Sequence, residues 1–413
     1  MNPQHILILT SAHLCRNPRV VKEATTLGAA GYDVTVMSIS VQPRFEHLDQ
    51  ELMRGLPFKR VTIDYTASTP AARLANFVQR GATWAARQLL TRFGWETARA
   101  LGSASALLRF ARSFPADLTI VHTEIPIWAA QYLIRDGRRV AVDMEDWYSQ
   151  DLLPDDRRTR PLRLLHEAEA SALRRAAYVS TTSTSMAQAL TEAYGGQRPI
   201  VLRNTFPLQP RPPAQRGAPR SPPRFIWFSQ TVGPGRGLEQ FLAAWAVTTR
   251  PSEVFLLGED RPGYCARLMD LIPPKRRPDL HFIPPAAPAD LPSRLANFDL
   301  GLALEPSEPP NKELTTSNKI LQYLNAGLAV VATDTAGQRE VMQAAPGCGV
   351  LADNTDAVSW ARQLDALLGD TAQLRRMQHA ARAAAEREFC WEHDAPRLLA
   401  AVARALSAPP PAA

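Results

Sequence analysis

The sequence predicts an α/β protein of two doubly wound domains, each a parallel sheet covered by helices on both faces. Three observations carry that prediction. Short β-branched runs alternate with helical periods, a proline-rich segment breaks the rhythm once, and 413 residues exceed what one core encloses. Such a length fits two domains of about 150 to 200 residues each. An apolar share of 45% supports ordinary burial in both.

HILILTS (5–11) opens the first half as a strand, and PRVVKEATTLGAAG (18–31) follows as a helix ending in glycine. DVTVMSI (33–39), FKRVTID (58–64), DLTIVH (117–122), RVAVDM (139–144) and AYVSTTS (177–183) are the further strands. Residues 73–114 form an arginine-rich stretch with Phe77, Trp84, Phe93, Trp95 and Phe110, in which Glu96 is the only acid. A segment of this kind can lie on an anionic membrane surface, or pack as helices with a solvated arginine face. PLQPRPPAQRGAPRSPP (207–223) excludes helix and inner strand and reads as a stiff linker. Past it the rhythm restarts with RFIWFSQ (224–230), EVFLLG (253–258), HFIP (281–284), FDLGLAL (298–304), LAVVAT (328–333) and CGVLAD (348–353). The tail is helical from Thr371 to about Leu406, interrupted near FCWEHDAP (389–396), with a frayed PPPAA at its end. The expected domains are 1–206 and 224–388, joined by the 207–223 linker and followed by a helix and tail over 389–413. Two such domains put a cleft between two sets of strand C-terminal ends, where ligands bind in doubly wound sheets.

Composition removes several classes of function. No apolar run approaches the roughly 18 to 20 residues of a membrane span. MNPQHILILTS enters a strand without a cationic leader, so export is not expected. Cysteines 15, 265, 348 and 390 form no CxxC pair and read as reduced thiols of a cytoplasmic protein. The net charge of +7 does not indicate nucleic acid, because only five basic residues are lysine and no basic run is interleaved with aromatics. With no D-x-D and no histidine pair at ligand spacing, neither metal nor cofactor is expected.

SNKILQYLNAGLAVVATDTAG (317–337) places a lysine where a helix least favours one. Ser317 reads as the N-cap, Ile320, Leu321 and Leu324 as the buried face, and Gly327 as the terminator. Lys319 then lies in the first turn, beside the positive end of the helix dipole, which disfavours a cation by a few tenths of a kcal/mol. A bound anion would account for it, since helix N-termini and ammonium groups both attract phosphate; a solvated lysine is the alternative. FIWFSQTVGPGRGLEQFLAAWAV (225–247) runs a strand through Gly233, Gly235 and Gly237 into a second helix. It lacks the GK[ST] of a P-loop, and Leu238 stands where a dinucleotide fingerprint needs its third glycine. Close backbone approach, free N–H groups and the forked cation of Arg236 still suit phosphate. A diphosphate needs two or more positive partners, and a doubly wound sheet can bring both helix starts to one crevice.

RNPRVVKEATTLGAAGYDVTVMS (16–38), VSTTSTSMAQAL with PIVLRNTFP (179–207), GPGRGLEQFLAAW and SNKILQYLNAGLAVVATDTAGQREVM (317–342), in this order, resemble a GT-B-fold glycosyltransferase of the retaining family 4 type, the glycosyl transferases group 1. The resemblance implies two Rossmann-like domains facing a cleft. It implies a metal-independent, hexosyltransferase-type enzyme that moves sugar from a nucleotide-diphosphate donor to a carbohydrate or lipid-linked acceptor. Polysaccharide or cell-envelope glycan synthesis, in the cytoplasm or peripherally on the inner face of a membrane, is the family's usual setting. Arg236 and Lys319 resemble the cations that hold the diphosphate, and Thr315, Ser317 and Asn318 the phosphate-side loop. Gln322 falls where the family usually has a glutamate on the nucleotide ribose. The family's earlier glutamate falls on Leu314, with Glu313 one place away. Gln230 stands where arginine is common. On the acceptor side His122 ends the fourth strand and resembles a polar residue of the family; a histidine bonded within a loop is the alternative. Asp143, Glu145 and Asp146 could orient a hydroxyl, act as base or cap the next helix, the cap being slightly favoured. Arg16, Asn17 and Arg19 are candidates to meet acceptor or donor phosphates. The rivals are a GT-B-fold sugar-nucleotide 2-epimerase, a decayed nucleotide-sugar-binding protein and, against the failed fingerprint, a dinucleotide oxidoreductase.

Overall fold

Apolar runs too short for helices become strands buried on both faces, as parallel sheets require. The computed structural model describes residues 3–66, 69–210, 221–287, 290–353 and 356–408. They divide into two compact units, the first running to Leu202 and joined by Pro309–Asn311 and the segment from Ala395, the second holding Arg203–Glu308 and Lys312–Asp394. The expected separate segment 389–413 is thus divided at Ala395, and Arg203–Phe206 group with the second unit. Ten residues of the expected linker (211–220) and the PPPAA tail lie outside the described residues.

In the first unit β1 (His5–Leu9), β2 (Asp33–Ser40), β3 (Lys59–Asp64), β4 (Leu118–His122), β5 (Val140–Met144), β6 (Val179–Thr181) and β7 (Ile200–Val201) form one parallel sheet in the order β3-β2-β1-β4-β5-β6-β7. The two-residue β7 carries no periodicity and was not expected. The arginine-rich stretch becomes a helix over Pro70–Phe93, a 3-10 turn over Ala98–Leu101 and a helix over Ala104–Ser113. The last of these buries Leu107, Leu108 and Ala111.

In the second unit β8 (Arg224–Val232), β9 (Glu253–Asp260), β10 (Leu280–Ile283), β11 (Leu300–Ala303), β12 (Ala329–Ala332) and β13 (Gly349–Leu351) repeat the plan as β10-β9-β8-β11-β12-β13. Successive side chains of β8 alternate between two cores. Phe225 and Trp227 join Phe241 and Trp245, whereas Ile226 joins Ile320 and Leu324. The helical tail breaks more briefly than expected: helices Thr371–Arg387 and Trp391–Ser407 are separated by three residues, and the second holds Pro396. In each sheet the strand order reverses between the first strand and the fourth, where a doubly wound fold opens a crevice.

Candidate functional site

The second unit's reversal point lies between β8 and β11, and both polypeptide ends that leave it carry the predicted donor residues. After β8 the chain turns through Gly233–Gly237 into helix Leu238–Ala246. Gly237 is its N-cap in the left-handed region, φ 70°, and a Cβ there would stand 2.9 Å from the Leu304 carbonyl oxygen. Only glycine lets this turn rest against the chain leaving β11. Arg236, half-buried on the turn, has no ion-pair partner among the described residues.

Helix Asn318–Ala326 packs on β11 because Gly301 leaves room for the Tyr323 ring: a Cβ there would sit 2.2 Å from ring carbon Cγ. Tyr323 also donates to the Leu302 carbonyl at 3.2 Å. This fixes the helix start beside Glu305, two residues past the end of β11. Lys319 is not the solvated lysine of the alternative reading; it faces a carboxylate. Its Nζ lies 2.6 Å from Glu305 Oε1, 8% of the residue is exposed, and the ammonium stands 5.7 Å from the Trp227 ring centre. Ser317 caps the helix as expected, accepting from the Lys319 N–H at 3.3 Å, and its hydroxyl donates to Glu305 at 2.9 Å.

The charges here are coupled. Burial opposes ionisation of Glu305, but Lys319 and Lys312 outweigh it and hold the carboxyl down at about 2. Burial lowers the Lys319 ammonium from its ordinary value; Glu305 opposes that, while Arg236 and Lys312 reinforce it. Arg236 and Lys319 are therefore close enough to feel each other's charge, with Lys312 nearby. Arg236 and Lys312 add positive charge beside the Lys319–Glu305 pair, a setting that suits a polyanion.

The remaining donor candidates fall around this pair. Asn318 is exposed at the helix start and Thr315 half-buried just before it, its carbonyl covered by Gly337. Gln322 is half-buried, and its amide has no hydrogen-bond partner among the described residues. Gln230 is exposed on β8. Glu313 is already employed: its Oε1 accepts from the Ala336 N–H at 2.9 Å, at the start of helix Ala336–Ala344. A carboxylate there satisfies a free donor and the helix dipole. Sequence reasoning missed Glu305 and Lys312; Glu305 directly follows an apolar run, and only the fold shows that it faces Lys319.

In the first unit several acceptor-side expectations are corrected. Arg19 is 1% exposed, its guanidinium 2.8 Å from Asp143 and 3.6 Å from Glu23 and donating to the Leu202 carbonyl at 2.8 Å. His122 is fully buried, 3.2 Å from Glu23 and 3.8 Å from Asp143. Both are buried and paired, because helix Pro18–Ala29 lays Arg19 and Glu23 over the strand end. Burial favours a neutral imidazole, yet Glu23 and then Asp143 and Glu145 push His122 up to about 9. Burial likewise lifts Asp143, to about 7, against the pull of Arg19. Asn17 is the N-cap of helix Pro18–Ala29, accepting from the Val20 N–H at 3.2 Å.

Glu145 and Asp146 do not cap the next turn, contrary to the favoured reading. Asp146 accepts from the Asn311 amide at 2.7 Å, and Glu145 from the Tyr148 hydroxyl at 3.3 Å. Burial raises the Glu145 carboxyl, with His122 opposing. Arg16 is exposed, its guanidinium 4.7 Å from the Phe45 ring centre. Thr123, which follows β4, has φ 68° and its hydroxyl meets Ser11 Oγ at 2.7 Å. Positive φ at a β-branched residue stores strain.

Two groups of carboxylates and histidine have atoms close enough to share a cation: Glu23, His122 and Asp143, and His13, Glu46 and Asp49. An arginine already fills each. Arg19 serves the first, and Arg60 donates to Glu46 at 2.9 Å and Asp49 at 3.0 Å in the second. The four cysteines are unpaired, and no described helix is long and apolar enough to cross a membrane.

Residues 222–370 match the family model described as glycosyl transferases group 1. No curated protein matches the sequence. Among solved structures the chain is similar to sucrose-phosphate synthase from Thermosynechococcus elongatus, at 14% identity over 97% of this chain and 98% of that one, TM-score 0.73. It is similar to Anabaena Alr3699/HepE in complex with UDP and glucose, at 17% identity over 97% and 99%, TM-score 0.68. WaaG, a glycosyltransferase involved in lipopolysaccharide biosynthesis, aligns at 15% identity over 95% and 98%, TM-score 0.62. At such identities the likeness establishes the GT-B fold.

Proposed function

We propose, from the premise that this chain belongs to the group 1 glycosyl transferases and has the GT-B fold, that it moves a hexose from a nucleoside-diphosphate sugar to an acceptor hydroxyl with retention. One observation carries the donor half: a buried ammonium, Lys319, and a guanidinium with no ion-pair partner among the described residues, Arg236, flank the reversal point of a doubly wound sheet. As the sugar C1–O bond stretches, negative charge grows on the departing diphosphate. Arg236, Lys319 and the N–H groups of both helix starts stabilise it most at that moment. The acceptor oxygen attacks from the face the diphosphate leaves, and its proton follows to a departing phosphate oxygen. No nucleophilic carboxylate is then required.

Glu305 is a positioning residue in this scheme. It holds the ammonium in place, and the excess cations supply the attraction. Asn318 and Gln322 are proposed to contact the nucleotide, Gln322 through an uncharged amide. The first unit is proposed to present a carbohydrate or lipid-linked acceptor, with Glu145, whose carboxyl burial raises, proposed to orient its hydroxyl. Polysaccharide or cell-envelope glycan synthesis is the proposed setting.

The test is thermal-shift screening with UDP-, GDP-, ADP- and TDP-sugars, starting with UDP-glucose, since a ligand stabilises by RT ln(1 + [L]/Kd). Product analysis follows, with donor alone and with donor plus glycan acceptors. Transfer to an acceptor supports the proposal. Conversion of donor alone to its epimer identifies an epimerase, and binding without turnover identifies a decayed site, the reading that Gln322 favours.

A further inference from the structure

Helix Pro70–Phe93 is amphipathic in the opposite sense to one packed on a sheet. Its less exposed positions, among them Ala72, Asn76, Thr83, Ala86 and Arg87, are mostly small or polar, and Ala86 alone is buried. Two polar contacts tie it down: Asn76 Nδ2 donates to the Tyr65 carbonyl at 2.7 Å, and Arg87 Nε to the Ala100 carbonyl at 3.0 Å. The large apolar side chains point away from the domain, with Phe77 77% exposed, Trp84 66% and Leu74 65%. Seven of the fourteen large apolar side chains exposed among the described residues fall between 74 and 95. That concentration is a patch and not scatter.

The charge beside the patch is of one sign. Arg73 and Arg80 lie seven residues apart, along the helix edge next to Phe77 and Trp84, and Arg92 extends the charge to the last turn. No acidic residue occurs from 65 to 95. We infer that this helix seats on an anionic membrane surface, its apolar face in the headgroup boundary and its arginines on lipid phosphates. A second copy of the chain would set arginine row against arginine row. Spanning is not open to it, because no described helix is long and apolar enough. At 24 residues the helix lays about 36 Å along the surface. The inference is independent of the transfer reaction, so either can fail alone.

The test is co-sedimentation of the full-length protein with phosphatidylcholine vesicles, with and without phosphatidylglycerol. Binding is expected to the anionic vesicles and to weaken with salt. F77S/W84S should lower it by about tenfold or more. R80Q/R92Q should lower it about 25-fold, at about fivefold per arginine. Both variants replace exposed groups, so their melting temperature should equal that of the parent. Quenching of tryptophan fluorescence by brominated phosphatidylglycerol, largely lost in W84F/W95F, reads the same contact without disturbing the face. Failure of the parent to bind anionic vesicles, equal binding by the variants, or a lipid-free dimer dissolved by F77S/W84S would each overturn the inference.

Discussion

Replacing Lys319 alone cannot measure what its ammonium does for a diphosphate, because the same change strands a buried carboxylate. At 2.6 Å and an effective dielectric of ~20, the Lys319–Glu305 attraction is worth about 6 kcal/mol before desolvation. Breaking a buried pair by removing one partner typically costs about 3 to 5 kcal/mol. For a domain of this size that lowers Tm by about 6 to 20 °C. K319M and E305Q should each show such a loss, whereas E305Q/K319M, which leaves two neutral groups of similar volume, should recover most of it. The melts are run without ligand, and nucleoside-diphosphate affinity is then measured by calorimetry on the double variant. If the ammonium contacts the diphosphate, affinity falls by about 10-fold or more although the fold is restored. A double variant no more stable than either single one would refute the pairing, and one binding the diphosphate like the parent would refute the role of Lys319.

Three further predictions follow from the same geometry. R236A should leave Tm unchanged, because its guanidinium has no ion-pair partner among the described residues, and reduce kcat/KM about 10²- to 10³-fold in transfer assays. G237A should weaken donor binding, since the left-handed φ of 70° and the Leu304 oxygen 2.9 Å from where the new methyl would stand force the turn to move, at about 1 to 2 kcal/mol by titration. The buried His122 makes stability depend on pH. Its folded value near 9 lies above the ordinary 6.5, so its contribution is complete below about 6.5 and is lost as pH rises towards 9. Denaturant titrations should show that loss in the parent, and H122Q should flatten it.

Much of the fold was legible because strands buried on both faces must be apolar throughout, and the helix that carries Lys319 announced its ends. Ser317 and Gly327 bounded the helix of Lys319 in the sequence as they do in the structure. What was not legible is which groups the fold brings together. Glu305 lies fourteen residues before Lys319 at the end of another strand, and no periodicity connects them. His122 and Arg19 were candidates to meet a ligand because they occur at strand and loop ends, with a histidine bonded internally as the alternative; helix Pro18–Ala29 lays Arg19 and Glu23 against Asp143 and His122. In the 70–93 helix the period was visible, but which face turned outward depended on Tyr65 and Ala100 carbonyls that only the structure locates.

The central claim is that Arg236 and Lys319 grip a single pyrophosphate. A crystal structure of the protein with a bound nucleoside diphosphate tests it most directly. The account places phosphate oxygens within hydrogen-bond reach of the Arg236 guanidinium, the Lys319 ammonium and the N–H groups that start helices Leu238–Ala246 and Asn318–Ala326. A nucleotide bound elsewhere, or touching only one of the two cations, would contradict it.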